Sequence, residues 1–78
     1  MKAQGEPQIN GAALRAIREA AEISAAQMAH DLGLSRPYLS MIERGQRGCR
    51  SSVIREMAQY LCVPPAAICI WAEPLDAA

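Results

Sequence analysis

The sequence has no phenylalanine, and its aromatic residues are Tyr38, Tyr60 and Trp71 alone. This scarcity, set against an abundance of alanine, disfavours a sheet-built core and predicts close-packed short helices. One histidine, His30, is present, which removes His-based nucleophilic catalysis and leaves metal ligation poorly supported. Cys49, Cys62 and Cys69 are odd in number and lack CxxC spacing, so they predict neither a disulfide framework nor a four-ligand zinc site. Reduced, mostly buried thiols are expected. No apolar run approaches the roughly 20 residues of a membrane span, and the start, MKAQGEPQ, lacks the apolar stretch of a secretory leader. A cytoplasmic location is the expectation, with no cofactor and no metal.

Net charge is also absent: 8 basic residues balance 8 acidic ones. The balance conceals an asymmetry. From residue 36 to residue 55 the chain carries Arg36, Arg44, Arg47, Arg50 and Arg55 against Glu43 alone, so this stretch is +4 and the remainder −4. One face can therefore attract phosphate despite the neutral total.

At 78 residues the length suits one small domain that buries about 60 % of its unfolded surface, with no room for a separate sensing domain. Residues 1–9, with Gly5, Pro7 and polar neighbours, predict a flexible arm outside the core. The domain proper is expected over 10–71, followed by a tail over 72–78.

Within it, the spacing and the capping residues predict five helices. Asn10 opens the first, to about residue 22, with Leu14, Ile17 and Ala21 on one stripe. Ser24 caps a second over 25–32, with Met28, Ala29 and Leu32 inward, and Gly33 supplies the left-handed residue that ends it. Ser35 opens a third with Pro37 in its first turn, where a missing N–H costs nothing; Leu39 and Ile42 face inward and Gly45 stops it. After a polar loop over 46–50, Ser51 or Ser52 caps a fourth helix with Val53 or Ile54, Met57, Ala58 and Leu61 inward. Pro64 and Pro65 separate it from a short fifth helix over about 65–71.

Residues 24–45, SAAQMAHDLGLSRPYLSMIERG, carry the strongest signal. Ala29 lets two helices approach, Gly33 permits the sharp turn between them, and Leu39 with Ile42 seats the second on the first. The outer side of that second helix is left free. With the LRAIRE opening, the MAxxLGLS turn, the YLSxIERG helix and the closing LCVPP, the chain resembles the lambda-repressor and Cro type of helix-turn-helix protein, the Xre family, over about residues 11–71. Its size is similar to that of Cro-like proteins and of the small controller proteins of restriction-modification systems.

The resemblance implies a compact, all-α, five-helix fold whose third helix enters the major groove of double-stranded DNA. Base readout would fall to Arg36, Pro37, Ser40 and Met41, with Tyr38 beside them. Arg36 can fork onto guanine, while Pro37 and Met41 suit a thymine methyl; Met41 can equally pack on Tyr38. Phosphate contacts would come from Ser24, Arg44, Arg47, Arg50, Ser51 and Ser52. The resemblance also implies a partly buried ion pair between Arg18 and Glu43. Ile68, Ile70 and Trp71 either complete the core or form a homodimer contact, the latter favoured because the family reads two-fold sites as dimers.

Two positions depart from the family. Ala25 stands where Gln commonly touches a phosphate. Cys62 stands where Gly usually ends the fourth helix, and it bears a steric penalty if that position is left-handed. The function expected is a DNA-binding transcriptional regulator, in particular a repressor acting as a homodimer on a short palindromic operator. The alternative is an antitoxin-like or accessory module whose main partner is another protein. No catalytic constellation is present, since the serines sit at caps.

Overall fold

Backbone signals local to each segment set the helices of this computed structural model, which describes residues 7–71, and the side chains of residues 8–70. Helix α1 spans Gly11–Ala20, and the Asn10 side chain accepts the Ala13 N–H at 3.1 Å. Helix α2 spans Ala25–Leu32, capped by Ser24, whose hydroxyl accepts the Gln27 N–H at 3.0 Å. Gly33 follows with φ 71°, and the Leu34 N–H reaches back to the Ala29 carbonyl at 2.8 Å. Helix α3 spans Arg36–Glu43, with Ser35 accepting the Tyr38 N–H at 3.1 Å. Helix α4 spans Ser51–Leu61. Its cap is Arg50 rather than Ser51 or Ser52, and no side chain bonds its first amides.

The described residues hold four α-helices, not five. Pro65–Ala67 forms one 3-10 turn, and Cys69–Trp71 is a strand, β2. Residues 69–71 take their backbone partners from an earlier strand instead of continuing the turn as a helix. That strand is β1, Pro7–Ile9, which the sequence reading placed in a flexible arm. The two strands run antiparallel with Pro7 opposite Trp71, Gln8 opposite Ile70 and Ile9 opposite Cys69. Immediately after β1, the Asn10 N–H donates to the Ile68 carbonyl at 2.8 Å. This small sheet fastens both flanks of the helical unit together.

The core takes Leu14 from α1, Met28 and Ala29 from α2, Leu39 and Ile42 from α3, and Ile54, Met57, Ala58 and Leu61 from α4. Ile68 and Cys69 close it from the other chain end. The expected stripe of α1 is narrower than its spacing predicts: Ile17 is half-buried, Ala21 is exposed, and Arg18 is buried. The thiols also divide, Cys69 being buried, Cys49 half-buried and Cys62 exposed. Burial pushes the Cys49 thiol above its ordinary value.

Candidate nucleic-acid interface

Helix α3 owes its exposed face to what its other face does. Leu39 and Ile42 have no exposure, which turns Arg36 and Pro37 outward and leaves Tyr38, Ser40 and Met41 half-buried along the flanks. Ala29, only 1 % exposed, and left-handed Gly33 bring α2 against α3. Ala25, Arg36, Pro37, Ser40 and Glu43 line a shallow notch between the start of α2 and the outer side of α3. Ala25 contributes only a methyl group to that notch.

The inner end of α3 is anchored twice. Arg18 Nε donates to Glu43 Oε2 at 2.7 Å and Nη2 donates to Oε1 at 3.1 Å, a two-point fork with side-chain exposures of 9 % and 7 %. The remaining arm, Nη1, donates to the Ile23 carbonyl at 2.7 Å, so the same guanidinium ties α1, the α1–α2 turn and α3 together. The hydrogen bond to Glu43 raises the Arg18 pKa against the opposing effect of burial. The second anchor is Gly11, which the sequence reading did not single out. A Cβ there would lie 2.1 Å from the Ile42 carbonyl oxygen and 2.7 Å from that of Glu43. Only a glycine allows the start of α1 to sit on the end of α3.

Beyond α3, the Gln46 N–H bonds the Met41 carbonyl at 2.8 Å and Gly45 adopts φ 77°, so the chain leaves the helix sharply. Arg44, Arg47, Arg50, Ser51 and Ser52 are exposed along the loop and the α4 start, and Ser24 is exposed at the start of α2. Arg47 returns toward α3 and lays its guanidinium 5.0 Å from the centroid of the Tyr38 ring. Elsewhere, Asp31 on α2 accepts from Tyr60 Oη on α4 at 2.6 Å and from Gln27 Nε2 at 2.8 Å. That bridge, unforeseen from the sequence, stands apart from the α3 face and braces α2 from behind. His30 lies beside Asp31, with Nδ1 3.5 Å from Oδ1.

The proposed dimer residues do not stay together. Ile68 has no exposure and belongs to the core, whereas Ile70 is 54 % exposed on the outer face of β2. The Trp71 side chain lies outside the described residues.

A family model described as a helix-turn-helix domain matches residues 11–68. The chain belongs to the Cro/Xre-like helix-turn-helix family. This Xre-type domain is similar to the restriction-modification controller protein C.AhdI from Aeromonas hydrophila, at 35 % identity and a TM-score of 0.69, covering 73 % of this chain and 86 % of that one. The clp gene regulator ClgR from Corynebacterium glutamicum matches at 30 % identity and the same TM-score of 0.69, over 72 % of this chain and 60 % of that one. A curated, uncharacterized HTH-type transcriptional regulator of Mycobacterium tuberculosis is 36 % identical over 66 residues, 85 % of this chain. The chain spans about half the length of that relative, 47 %. The SinR crystal structure with DNA, at 22 % identity and TM-score 0.69 over 74 % of this chain and 94 % of that one, shares the fold. These relatives are named as regulators or controller proteins and none as an enzyme. Among the described residues, no helix is long and apolar enough to cross a membrane.

Proposed function

We propose that this Xre-type domain is a sequence-specific transcriptional regulator, acting as a repressor, that binds a short palindromic operator on double-stranded DNA as a homodimer. The observation that carries the reading is the α3 face: Arg36 and Pro37 are exposed, with Ser40 and Met41 half-buried on the flanks, on a helix whose inner end is held by the Arg18–Glu43 fork. A braced, exposed helix of this size fits the major groove, where Arg36 forks onto guanine O6 and N7 while Pro37 and Met41 offer apolar contact. Ser24, Arg44, Arg47, Arg50, Ser51 and Ser52 hold phosphates on either side, and the uncapped amides of α4 add to that hold. Exposed Ile70, with Trp71 next to it in β2, supplies the contact between subunits.

Selection of bound duplexes from a random pool, with sizing of the free and bound protein, tests the whole reading: a two-fold consensus bound by two chains is expected. On that consensus, Arg36→Ala costs about 1–3 kcal/mol of discrimination at one position of each half-site. Arg47→Ala instead weakens all sequences alike and reduces the salt slope by about 1. Equal losses from both changes on consensus and random DNA would exclude the groove assignment. A stoichiometric protein partner, with weak binding to every selected duplex, would favour the accessory-module reading.

A further inference from the structure

The loop between α3 and α4 presents its charge in an unexpected place. Loop residue Arg47 is flanked by Gln46 and Gly48, and it lies close in sequence to Gly45, which takes a left-handed φ of 77°. Nothing in that local sequence fixes an arginine side chain, and an unheld guanidinium loses considerable rotamer freedom when it grips a phosphate. Yet its guanidinium lies 5.0 Å from the centre of the Tyr38 ring, in the first turn of α3. That ring is not itself free to wander. Tyr38 is half-buried and packs against the hydrophobic core. Its backbone N–H is held by the Ser35 cap. The ring is thus a platform held by the core, with the cation over it.

From this geometry, and resting on the DNA-binding reading above, we infer that Tyr38 is a positioning residue: its ring holds the Arg47 guanidinium beside the reading helix, ready to engage a backbone phosphate. Tyr38 therefore acts through Arg47 rather than by touching bases. A ring face attracts a guanidinium through its quadrupole, and the hydroxyl plays no part in that attraction. The specificity of the site then rests on Arg36, Pro37, Ser40 and Met41, while Tyr38 sets how strongly any duplex is gripped. Part of the ordering that Arg47 needs on DNA is already done in the free protein.

The test uses the full chain and mixed-sequence duplex DNA, since a phosphate contact requires no particular operator. In the free protein, the Arg47 side-chain methylene protons next to the guanidinium are expected to resonate upfield through the ring current of Tyr38. Tyr38→Leu abolishes that displacement and Tyr38→Phe keeps it. On DNA, Tyr38→Leu weakens binding about two- to fivefold, the range expected for an exposed cation–ring contact. Tyr38→Phe restores it, and Tyr38→Leu added to Arg47→Ala causes no further loss. A wild-type spectrum without the upfield displacement overturns the inference. So does a Tyr38→Leu loss that persists undiminished in the Arg47→Ala background, which would mean that Tyr38 touches DNA itself. Both of those outcomes leave the groove assignment of Arg36 standing. Absence of salt-dependent binding by the wild-type chain, with the ring-current displacement intact, would overturn the DNA reading and this role of Tyr38 with it.

Discussion

Cys62 ends α4 with φ 60° and ψ 39°, a left-handed conformation that crowds a Cβ against the backbone. Glu22 does the same after α1 at φ 61°, while Gly33 and Gly45 occupy such positions without penalty. Replacing Cys62 with glycine removes the crowding but frees the unfolded chain, so Cys62→Gly is expected to stabilise by about 1 kcal/mol or slightly less in a urea titration. The sequence motif marks Cys62 as a departure, but which backbone conformation it accepts is a property of the folded turn. The Arg18–Glu43 fork makes a different demand. Its partners are 25 positions apart, so no local spacing pairs them, and their pairing is readable only through the resemblance of the whole motif. Because the pair is buried, Glu43→Ala strands a guanidinium and should cost about 3 kcal/mol, whereas the double change Arg18→Met with Glu43→Leu should recover most of it. Equal stabilities for the single and double variants in denaturant titrations would mean that the charge is not stranded. Gly11 was unreadable for the same reason as the ion pair: its neighbour, the end of α3, is distant in sequence.

At the scale of elements, the helix-turn-helix was legible because every signal in it is local. Ser24, Gly33 and Ser35 sit at caps that their own chemistry dictates, and Pro37 falls where its missing N–H does no harm. The strands were not legible, since three-residue segments at opposite ends of the chain show no usable alternation and acquire their structure only by pairing. The α2–α4 bridge also eluded the sequence, because Asp31 and Tyr60 are 29 positions apart and no local spacing pairs them. In the fold, the Tyr60 hydroxyl, with lesser help from Gln27 and His30, holds the Asp31 carboxyl below its ordinary value of 3.8, and the phenol is pushed up in turn. A carboxylate depressed in the folded state adds stability above its unfolded pKa and loses it as pH falls through the folded value. Tyr60→Phe should therefore move the Asp31 midpoint upward in an NMR carboxyl titration and weaken the acid-side dependence of stability. A midpoint unmoved by the substitution would show that the bridge does not persist in solution. The pair is exposed, so its effect on neutral-pH stability is small.

For the whole molecule, the zero net charge says nothing about how charge is placed, and the +4 stretch from residue 36 to residue 55 is concentrated in α3, its following loop and the first turns of α4. The helical unit is closed by the short sheet, whose inward pair is half-buried Ile9 and buried Cys69. Removing residues 1–9 should leave helical content nearly intact but lower stability by about 2 kcal/mol, a fall of about 10 °C in Tm, through lost strand hydrogen bonds, loss of the Ile9 side chain from the core and exposure of Cys69. An unchanged melting curve would exclude the sheet as a stabilising clasp. The clasp also has a direction. Its antiparallel register places Pro7 opposite Trp71, so the chain enters and leaves the described structure at the same end of the two strands. Tension applied between those two points loads one pair of strand bonds at a time rather than all together. Under force the sheet is therefore expected to open like a zip, from Pro7 and Trp71 inward.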